Sequence, residues 1–285
     1  MLPRMNIGFI GPGSQGYGMA EMIRRSGYPL HLWARRAATL EPFEGTDAIV
    51  VGSKRELGER CDLVGVCVMS DADVEEVVVG EEGLLAGMKP ESIIAIHSTV
   101  APDTCIRIGG IASERGVHVV DAPVSGSSEG ALKHSLTVFG GGDPDVFERA
   151  RPVFETYGDP VRLLGPLGSG QVFKLLNNLL FTANLSMGID ALGYAEQMGL
   201  DGAAVEELLL ASSGRSEALH GWCARVTPGD MTRVHTILHK DVGLAASVAK
   251  ANGVGVGGLV EAADRVLADM ADGTYAVPPG RSQSA

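Results

Sequence analysis

The stretch IGFIGPGSQGYGMA, residues 7–20, places a short apolar run directly before three glycines in GxGxxG spacing. Such an apolar run predicts a buried strand, and the glycines that follow it open a helix. Gly11 permits a tight turn, Gly13 lets the backbone approach a pyrophosphate, and Gly16 lets the helix pack closely on the sheet. The pyrophosphate would then lie at the positive end of the helix dipole. The stretch therefore predicts a Rossmann-type dinucleotide-binding turn.

Short β-branched runs alternate with helical patterns up to about residue 164. This alternation is typical of a doubly wound, mostly parallel sheet with helices on both faces. A Gly/Pro hinge follows at 163–171, and from there the pattern is helical. We therefore expect an α/β Rossmann domain over 1–164 and an all-α domain over 165–285, joined by a long helix. The predicted strands are NIGFI, LHLWA, AIVV, LVGVCVM, SIIAIH, VHVVDA, LTVFG and VRLL, and the predicted helices are 20–26, 170–198, 201–212, 215–225, 234–252 and 257–272, with PPGRSQSA as a loose tail.

The composition argues against several classes of function. The 285 residues carry 23 Lys and Arg against 35 Asp and Glu, and the net charge of −12 repels nucleic acid and anionic membranes. The longest apolar region, 172–192, is interrupted by Lys174, Asp190 and three asparagines, which is wrong for a membrane span. The start of the chain shows no signal segment, so we expect a cytoplasmic protein. The four cysteines lack CxxC spacing, so neither a metal site nor a disulfide framework is expected.

Two arginines end the second predicted strand, in LWARR at 32–36. A Rossmann protein that uses NAD usually offers Asp or Glu to the ribose hydroxyls at this point. The guanidinium groups of Arg35 and Arg36 instead suit a 2′-phosphate, so NADP(H) is the preferred cofactor and NAD(H) the second candidate. The alternative is that both arginines belong to a solvated surface.

Lys174 and Asn178 stand four residues apart in the long predicted helix, so their side chains share one face. Burying a lysine in an otherwise apolar helix costs free energy unless its ammonium has a bonding partner or takes part in catalysis. Desolvation lowers the pKa of a lysine ammonium, which can make it an acid or base that works near neutral pH. The alternative is an amphipathic lysine whose ammonium reaches solvent.

Six motifs follow one another along the chain: GFIGPGSQG at 8–16, ARR at 34–36, HST at 97–99, DAPVSG at 121–126, GSGQVFKLLNN at 168–178 and HKDVGLA at 239–245. In these motifs and their order the chain resembles the β-hydroxyacid dehydrogenase family over nearly its whole length. That family includes 3-hydroxyisobutyrate dehydrogenase, tartronate semialdehyde reductase and the cofactor domain of 6-phosphogluconate dehydrogenase. The resemblance implies that Lys174 is the general acid/base and that Asn178 helps to hold the substrate.

The segment after the sixth predicted strand follows an Ala-Pro pair, where backbone N–H groups can bind an anion. The resemblance implies that Ser125, Gly126 and Ser127 hold a substrate carboxylate there, and the alternative is a plain turn. Two residues depart from the family pattern. Ser127 replaces the usual second glycine and adds a hydroxyl, and His134 replaces another glycine and adds bulk and a titratable ring near the same loop. Both departures bear on the identity of the substrate.

The same resemblance implies further contacts with the cofactor. Val68, Met69 and Thr99 fall at the ends of the fourth and fifth strands, the edge where open parallel sheets bind their ligands. Lys240, with Asp241 beside it, is expected to close over the cofactor from the helical domain. The alternative is packing for the first three residues and a surface ion pair for the last two. The contacts expected in the glycine turn are Gly11, Pro12, Gly13, Ser14, Gln15 and Gly16.

Together these features predict an oxidoreductase that transfers a hydride between NADP(H) and a small 3-hydroxy acid or its semialdehyde. Three alternatives stay open. A decarboxylating 6-phosphogluconate dehydrogenase normally has His where Asn177 stands, and an imine reductase typically replaces the lysine. An NADPH-binding protein without catalysis would have little reason to keep Lys174, Asn178 and Ser125 together. A domain built around one long helix cannot easily bury that helix alone, so we expect a homodimer or homotetramer.

Overall fold

The computed structural model describes residues 5–225 and 231–273, with the backbone alone for residues 222–225 and 231. Contacts within the chain divide it into two compact units, Met1–Lys174 and Leu175–Ala285. The division falls inside a helix, whereas the sequence places the domain boundary before that helix, between residues 164 and 165. The predicted loose tail PPGRSQSA lies outside the described residues.

The described part of the first unit is built on a nine-stranded sheet. The strands are β1 (Ile7–Ile10), β2 (Leu30–Trp33), β3 (Ile49–Val50), β4 (Leu63–Val66), β5 (Ile93–Ile96), β6 (His118–Asp121), β7 (Val124–Ser125), β8 (Leu136–Gly141) and β9 (Gly158–Gly165). Strands β3, β2, β1, β4, β5 and β6 lie side by side in that order, and all of these neighbours are parallel. The prediction of a doubly wound, mostly parallel sheet is therefore confirmed.

The far edge of the sheet departs from the parallel pattern. Strand β8 pairs antiparallel with β6 and with β7, and it pairs parallel with β9. Sequence patterning misses β7 because two residues are too few to show an alternation. The predicted strand VRLL begins at Val161, three residues after the start of β9, because Gly158 and Pro160 are typical turn residues.

Side chains of the central strands alternate between two apolar cores, one on each face of the sheet. On β5, Ile93 and Ala95 belong to one core, and Ile94 and Ile96 belong to the other. Helices cover both faces, as the sequence predicts. They are α1 (Gly16–Arg25), α2 (Lys54–Arg60), α3 (Asp71–Val79), α4 (Pro102–Ser113), α5 (Ser127–Leu132) and α6 (Pro144–Phe154).

The first helix begins earlier than predicted, at Gly16 rather than at residue 20. A Cβ on Gly16 would overlap the carbonyl oxygen of Gly11 and crowd the ring of Phe9. The glycine turn and the first helical turn are therefore one close-packed unit on β1.

In the described part of the second unit, all of the regular secondary structure is helical. Its core is formed by buried aliphatic side chains such as Leu179, Leu192 and Val266. None of the helices in residues 5–225 and 231–273 combines the length and the apolar character that crossing a membrane requires. The helices are α7 (Ser169–Gln197), which starts in the first unit, α8 (Gly202–Ala211), α9 (Glu217–Arg225), α10 (Met231–Ala251) and α11 (Gly258–Asp272).

Candidate active site

The glycine turn lies at the carboxyl end of β1. Gly11 has a φ of +80°, and a Cβ there would overlap the carbonyl oxygen of Cys67. Only glycine combines this backbone conformation with so close an approach. At Gly13, in contrast, a Cβ would meet no atom within 4 Å, so its backbone is open on that side. The turn therefore packs tightly against the loop after β4 at Gly11, and its backbone is accessible at Gly13.

The amino end of α1 offers donors to a ligand. Gln15, the residue that precedes the helix, makes no capping hydrogen bond with its side chain, and the first turn holds no acidic residue. The side-chain nitrogen Nε2 of Gln15 is buried and has no hydrogen-bond partner among the described residues. A buried donor without a partner at the start of a helix fits the pyrophosphate of a dinucleotide. The N–H of Gly18, in the first turn, already donates to Ser128 Oγ at 2.9 Å. Pro12 is buried in this turn, and Ser14 is exposed.

Arg35 lies just beyond β2 and forms ion pairs with α3. Its Nη2 is 2.9 Å from Asp73 Oδ1 and 3.3 Å from Glu76 Oε2, and its side chain is 63% exposed. Glu76 also bonds to Lys54, whose ammonium lies over the ring of Trp33. A 2′-phosphate at Arg35 would therefore compete with two carboxylates.

Arg36 differs from Arg35 in its surroundings. It is exposed, and no ion pair of its side chain occurs within the residues that the structure describes. An anion that binds Arg36 therefore has no carboxylate of the described residues to displace, whereas one that binds Arg35 has two. The sequence pattern treats the two arginines as equivalent, and the structure does not.

The loops after β4 and β5 meet next to the glycine turn. The N–H of Val68 donates to Ser98 Oγ at 2.8 Å, which joins the two loops. Thr99 is half-buried beside Ser98, and the Met69 side chain is 60% exposed. The structure thus brings together three of the sequence segments that were predicted to contact the cofactor.

Asp121, at the end of β6, accepts hydrogen bonds from the start of α7. Its Oδ1 accepts from the N–H of Gly168 and its Oδ2 from the N–H of Gln171, each at 2.7 Å. The carboxylate is fully buried, and burial raises the pKa of Asp121 while these N–H groups oppose the rise. Asp121 therefore fastens the first turn of the lysine-bearing helix to the sheet.

Lys174 extends from α7 toward the segment after β6. Its Nζ donates to the carbonyl oxygen of Val124 at 2.7 Å, and Ser125 is the next residue along the chain. The structure therefore places the ammonium beside the loop that was predicted to hold a carboxylate. Such an ammonium can exchange a proton with a hydroxyl group held at that loop.

The loop itself adopts an unusual backbone conformation. Gly126 has a φ of +128°, and the next residue, Ser127, has a φ of +62°. His134 also has a positive φ, +57°, and its ring nitrogen Nδ1 is 3.1 Å from the carbonyl oxygen of Thr156. Both departures from the family pattern thus fall where the backbone favours glycine.

The His97 side chain hydrogen-bonds to the backbone just before the same loop. Its Nδ1 is 2.6 Å from the carbonyl oxygen of Ala122, and its Nε2 is 3.3 Å from the hydroxyl of Tyr157. Burial lowers the pKa of His97 to about 4, so the ring is neutral at pH 7. Because a carbonyl only accepts, the neutral ring donates from Nδ1 and accepts from Tyr157. Its part is to hold the backbone next to Asp121.

In the second unit, Asn178 and Lys240 converge on one buried carboxylate. Asn178 Nδ2 donates to Asp241 Oδ2 at 2.6 Å, and Lys240 Nζ lies 2.8 Å from Asp241 Oδ1. The Asp241 side chain is 2% exposed, so this is not an ordinary surface pair. The Lys240 contact is an ion pair without hydrogen-bond geometry, since Oδ1 has no hydrogen-bond partner among the described residues.

Three free cysteines belong to the described part of the first unit: Cys61, Cys67 and Cys105. Burial raises the pKa of the Cys61 and Cys67 thiols to about 12. Both are protonated at neutral pH and therefore poor nucleophiles.

Sequence reasoning missed two residues of this region, Asp121 and Gln171. Both are fully buried, and a polar residue in a sequence normally predicts exposure. A signal was nevertheless present, because Asp121 follows a strand and Gln171 follows the small-residue run GSG at a helix start. A Cβ on Gly170 would overlap the Phe139 carbonyl oxygen, so this small residue lets the helix approach Asp121.

The glycine turn at the carboxyl end of β1, in a mostly parallel sheet, is that of a dinucleotide-binding protein. The family model described as the NAD binding domain of 6-phosphogluconate dehydrogenase matches residues 6–165. A second, described as NAD-binding of NADP-dependent 3-hydroxyisobutyrate dehydrogenase, matches residues 168–276. The chain belongs to the β-hydroxyacid dehydrogenase family.

Two curated relatives are similar over most of their length. The NAD-dependent L-serine dehydrogenase of Pseudomonas aeruginosa is 31% identical over 86% of this chain and 86% of its own. The 2-hydroxy-3-oxopropionate reductase of Escherichia coli is 32% identical over 87% of this chain and 85% of its own.

Solved structures show the same fold at lower identity. A 3-hydroxyisobutyrate dehydrogenase from Salmonella typhimurium matches with a TM-score of 0.84 at 24% identity, covering 95% of this chain and 96% of that one. An imine reductase from Streptomyces aurantiacus matches with a TM-score of 0.63 at 18% identity, covering 94% of each chain. These likenesses establish the two-part fold that the sequence predicts.

We expect Ser127→Gly to stabilise the protein, because glycine adopts a φ of +62° without the steric cost that serine meets. The free energy of unfolding should rise by about 0.5–1 kcal/mol. Urea unfolding measures it. Ser113→Gly is the matched control, since Ser113 is an exposed residue at the end of α4. This change should lower the free energy of unfolding by roughly 0.5–1 kcal/mol. Equal destabilisation of both variants would contradict the assignment of strain to Ser127.

Proposed function

We propose that the protein transfers a hydride reversibly between NADP(H) and a small 3-hydroxy acid or its semialdehyde, with Lys174 as general acid/base. The observation that carries this proposal is the bond from Lys174 Nζ to the Val124 carbonyl oxygen, next to Ser125. Family membership supports it, since the two curated relatives are named as a dehydrogenase of L-serine and a reductase of 2-hydroxy-3-oxopropionate. The bound nicotinamide supplies the hydride chemistry.

The residues around Lys174 have separate roles in this proposal. Ser125, Gly126 and Ser127 bind the substrate carboxylate and so fix the reacting carbon, and Asn178 helps to orient the substrate. During oxidation the neutral amine of Lys174 takes the hydroxyl proton and becomes the ammonium, and during reduction the ammonium returns that proton to the alkoxide oxygen. The Val124 carbonyl accepts a hydrogen bond from Nζ and so holds this group beside the loop.

Three alternative functions find less support. An imine reductase typically lacks this lysine, and the likeness to one is a likeness of fold alone. A decarboxylating 6-phosphogluconate dehydrogenase normally has His at the position of Asn177, whose amide here donates to Asn178 Oδ1 at 3.1 Å. A binding protein without catalysis would have no use for a lysine fastened beside an anion-binding loop.

Changing Lys174 to Met should lower kcat by at least about 100-fold, because the group that exchanges the hydroxyl proton is lost. Steady-state rates on a 3-hydroxy acid check this. Lys89→Met, which removes an exposed lysine of the same unit, should leave kcat unchanged. A loss smaller than about 100-fold in the Lys174 variant would remove this residue from the role of general acid/base.

The preference for NADP(H) over NAD(H) is also a proposal. It is supported by two guanidinium groups after β2, where an NAD enzyme usually has a carboxylate, and by the exposure of Arg36. Binding of a 2′-phosphate would draw Arg35 away from Asp73 and Glu76. The contacts assigned to the glycine turn and to Val68, Met69, Thr99 and Lys240 stay predictions, as does the cytoplasmic location.

Replacing Arg35 and Arg36 together with Gln should weaken NADP⁺ binding on the order of 10-fold or more, with little change for NAD⁺, because charge-assisted bonds to phosphate are lost. Dissociation constants measured by fluorescence titration test this. Asp73→Asn should act in the opposite direction, since it leaves Arg35 with one carboxylate fewer. Arg55→Gln combined with Arg60→Gln, at two exposed arginines paired with Glu59 and Glu56, is the charge-matched control. Equal weakening of both cofactors would refute the NADP preference.

We also propose that the protein forms at least a dimer through α7. Leu180, Met187 and Tyr194 recur at seven-residue intervals and are 46%, 55% and 66% exposed. Other side chains of this helix, such as Leu185 and Ile189, belong to the core of the second unit. A helix that is apolar on two faces requires a second partner.

Light scattering should therefore show a dimer or tetramer, and Met187→Lys should shift the population toward monomer because a charge enters the apolar contact. Lys replacing Val254, an equally exposed apolar residue outside α7, is the control and should not change the mass. A stable monomer at micromolar concentration would contradict the proposal.

A further inference from the structure

Gln171 occupies the first turn of α7 and uses both ends of its side-chain amide. Its Oε1 accepts from the N–H of Val100 at 3.1 Å, and its Nε2 donates to the carbonyl oxygen of Ser98 at 2.9 Å. These two backbone groups flank Thr99. The fully buried Gln171 side chain therefore bonds to the loop after β5 on both sides of Thr99, the residue that is proposed to contact the cofactor.

The backbone of Gln171 is fixed at the same point. Its N–H donates to Asp121 Oδ2 at 2.7 Å, so the residue joins the end of β6 as well as the loop after β5. Lys174 follows three residues later, nearly one helical turn along α7. Three segments thus meet at Gln171: the Thr99 loop, the end of β6 and the helix that carries the lysine.

An amide makes this pair of bonds without a change of protonation, because it donates and accepts at once. An ionised glutamate only accepts, so a glutamate would have to be protonated to make both bonds, and methionine forms neither. An ionised glutamate would also add a buried negative charge at a residue whose own backbone N–H bonds to the buried Asp121 carboxylate. The choice of an amide is therefore dictated by its two backbone partners.

We propose that Gln171 is a positioning residue for the hydride-transfer reaction. It sets the separation between Thr99, on the cofactor side, and Lys174, on the side of the substrate hydroxyl. The inference rests on the proposed function of Lys174 and adds a residue that touches neither substrate nor cofactor. Misplacement of reacting groups by about 1 Å can cost on the order of 100-fold in rate. The bonds of Gln171 to the Thr99 loop and to Asp121 are therefore expected to affect the rate of hydride transfer.

The test compares Gln171→Met with Gln171→Glu over a range of pH. The Met variant fills the same space without either bond, and its kcat should fall on the order of 10–100-fold at every pH. The Glu variant should regain activity on the acid side, because a protonated carboxyl can donate to the Ser98 carbonyl as the amide does. Burial beside Asp121 raises the pKa of such a carboxyl, so its kcat relative to the unmodified protein should decline as pH rises through that raised value.

Thr156→Val is the control for stability, because it removes one buried hydrogen bond, from Thr156 Oγ1 to the Val153 carbonyl, in the same unit. Its kcat should match that of the unmodified protein below the melting transition of each variant. The proposal is overturned if Gln171→Met keeps its kcat, or if the relative kcat of Gln171→Glu does not depend on pH. Should the Met variant fail to fold, the Glu profile alone decides.

Failure of this inference can be told from failure of the proposed function. If Lys174→Met is inactive and both Gln171 variants behave like the unmodified protein, only the positioning role is lost. If Lys174→Met stays active, the proposed function and the inference that rests on it fall together.

Discussion

The site depends on the buried carboxylate of Asp121, which receives the first backbone N–H groups of α7. Removing a carboxylate from water is costly, and here the cost is offset by hydrogen bonds from Gly168 and Gln171 and by the positive end of the helix dipole. These bonds also set the position of Lys174. Because the start of α7 is fastened to the end of β6, Lys174 reaches back to the Val124 carbonyl, three residues beyond Asp121.

The packing of the first unit follows from this constraint. A Cβ on Gly141 would overlap the Asp121 carboxylate, and one on Gly170 would overlap the Phe139 carbonyl. Small residues on both sides thus make room for a polar contact in an otherwise apolar core. The neutral His97 ring donates to the carbonyl oxygen of Ala122, so the backbone directly after Asp121 is held as well.

Sequence patterning predicted the parallel part of the fold well, because strand alternation, the glycine turn and the long helix are local signals. It placed the glycine turn, the ends of β4 and β5 and the two arginines at one sheet edge, where the structure has them. It failed where the decisive contact joins distant residues. The pairing of Arg35 with Asp73 and Glu76, the burial of Asp121 and Asp241, and the two-residue strand β7 depend on tertiary neighbours that no local pattern encodes.

The proposed hydride transfer is best tested with a panel of 3-hydroxy acids, short semialdehydes and cyclic imines, each assayed with NADP(H) and NAD(H). The change in nicotinamide absorbance reports turnover. We predict that at least one 3-hydroxy acid is oxidised, faster with NADP⁺ than with NAD⁺, and that the imines are not reduced. Reduction of imines with the hydroxy acids inert, or cofactor binding without turnover of any compound, would contradict the proposed reaction.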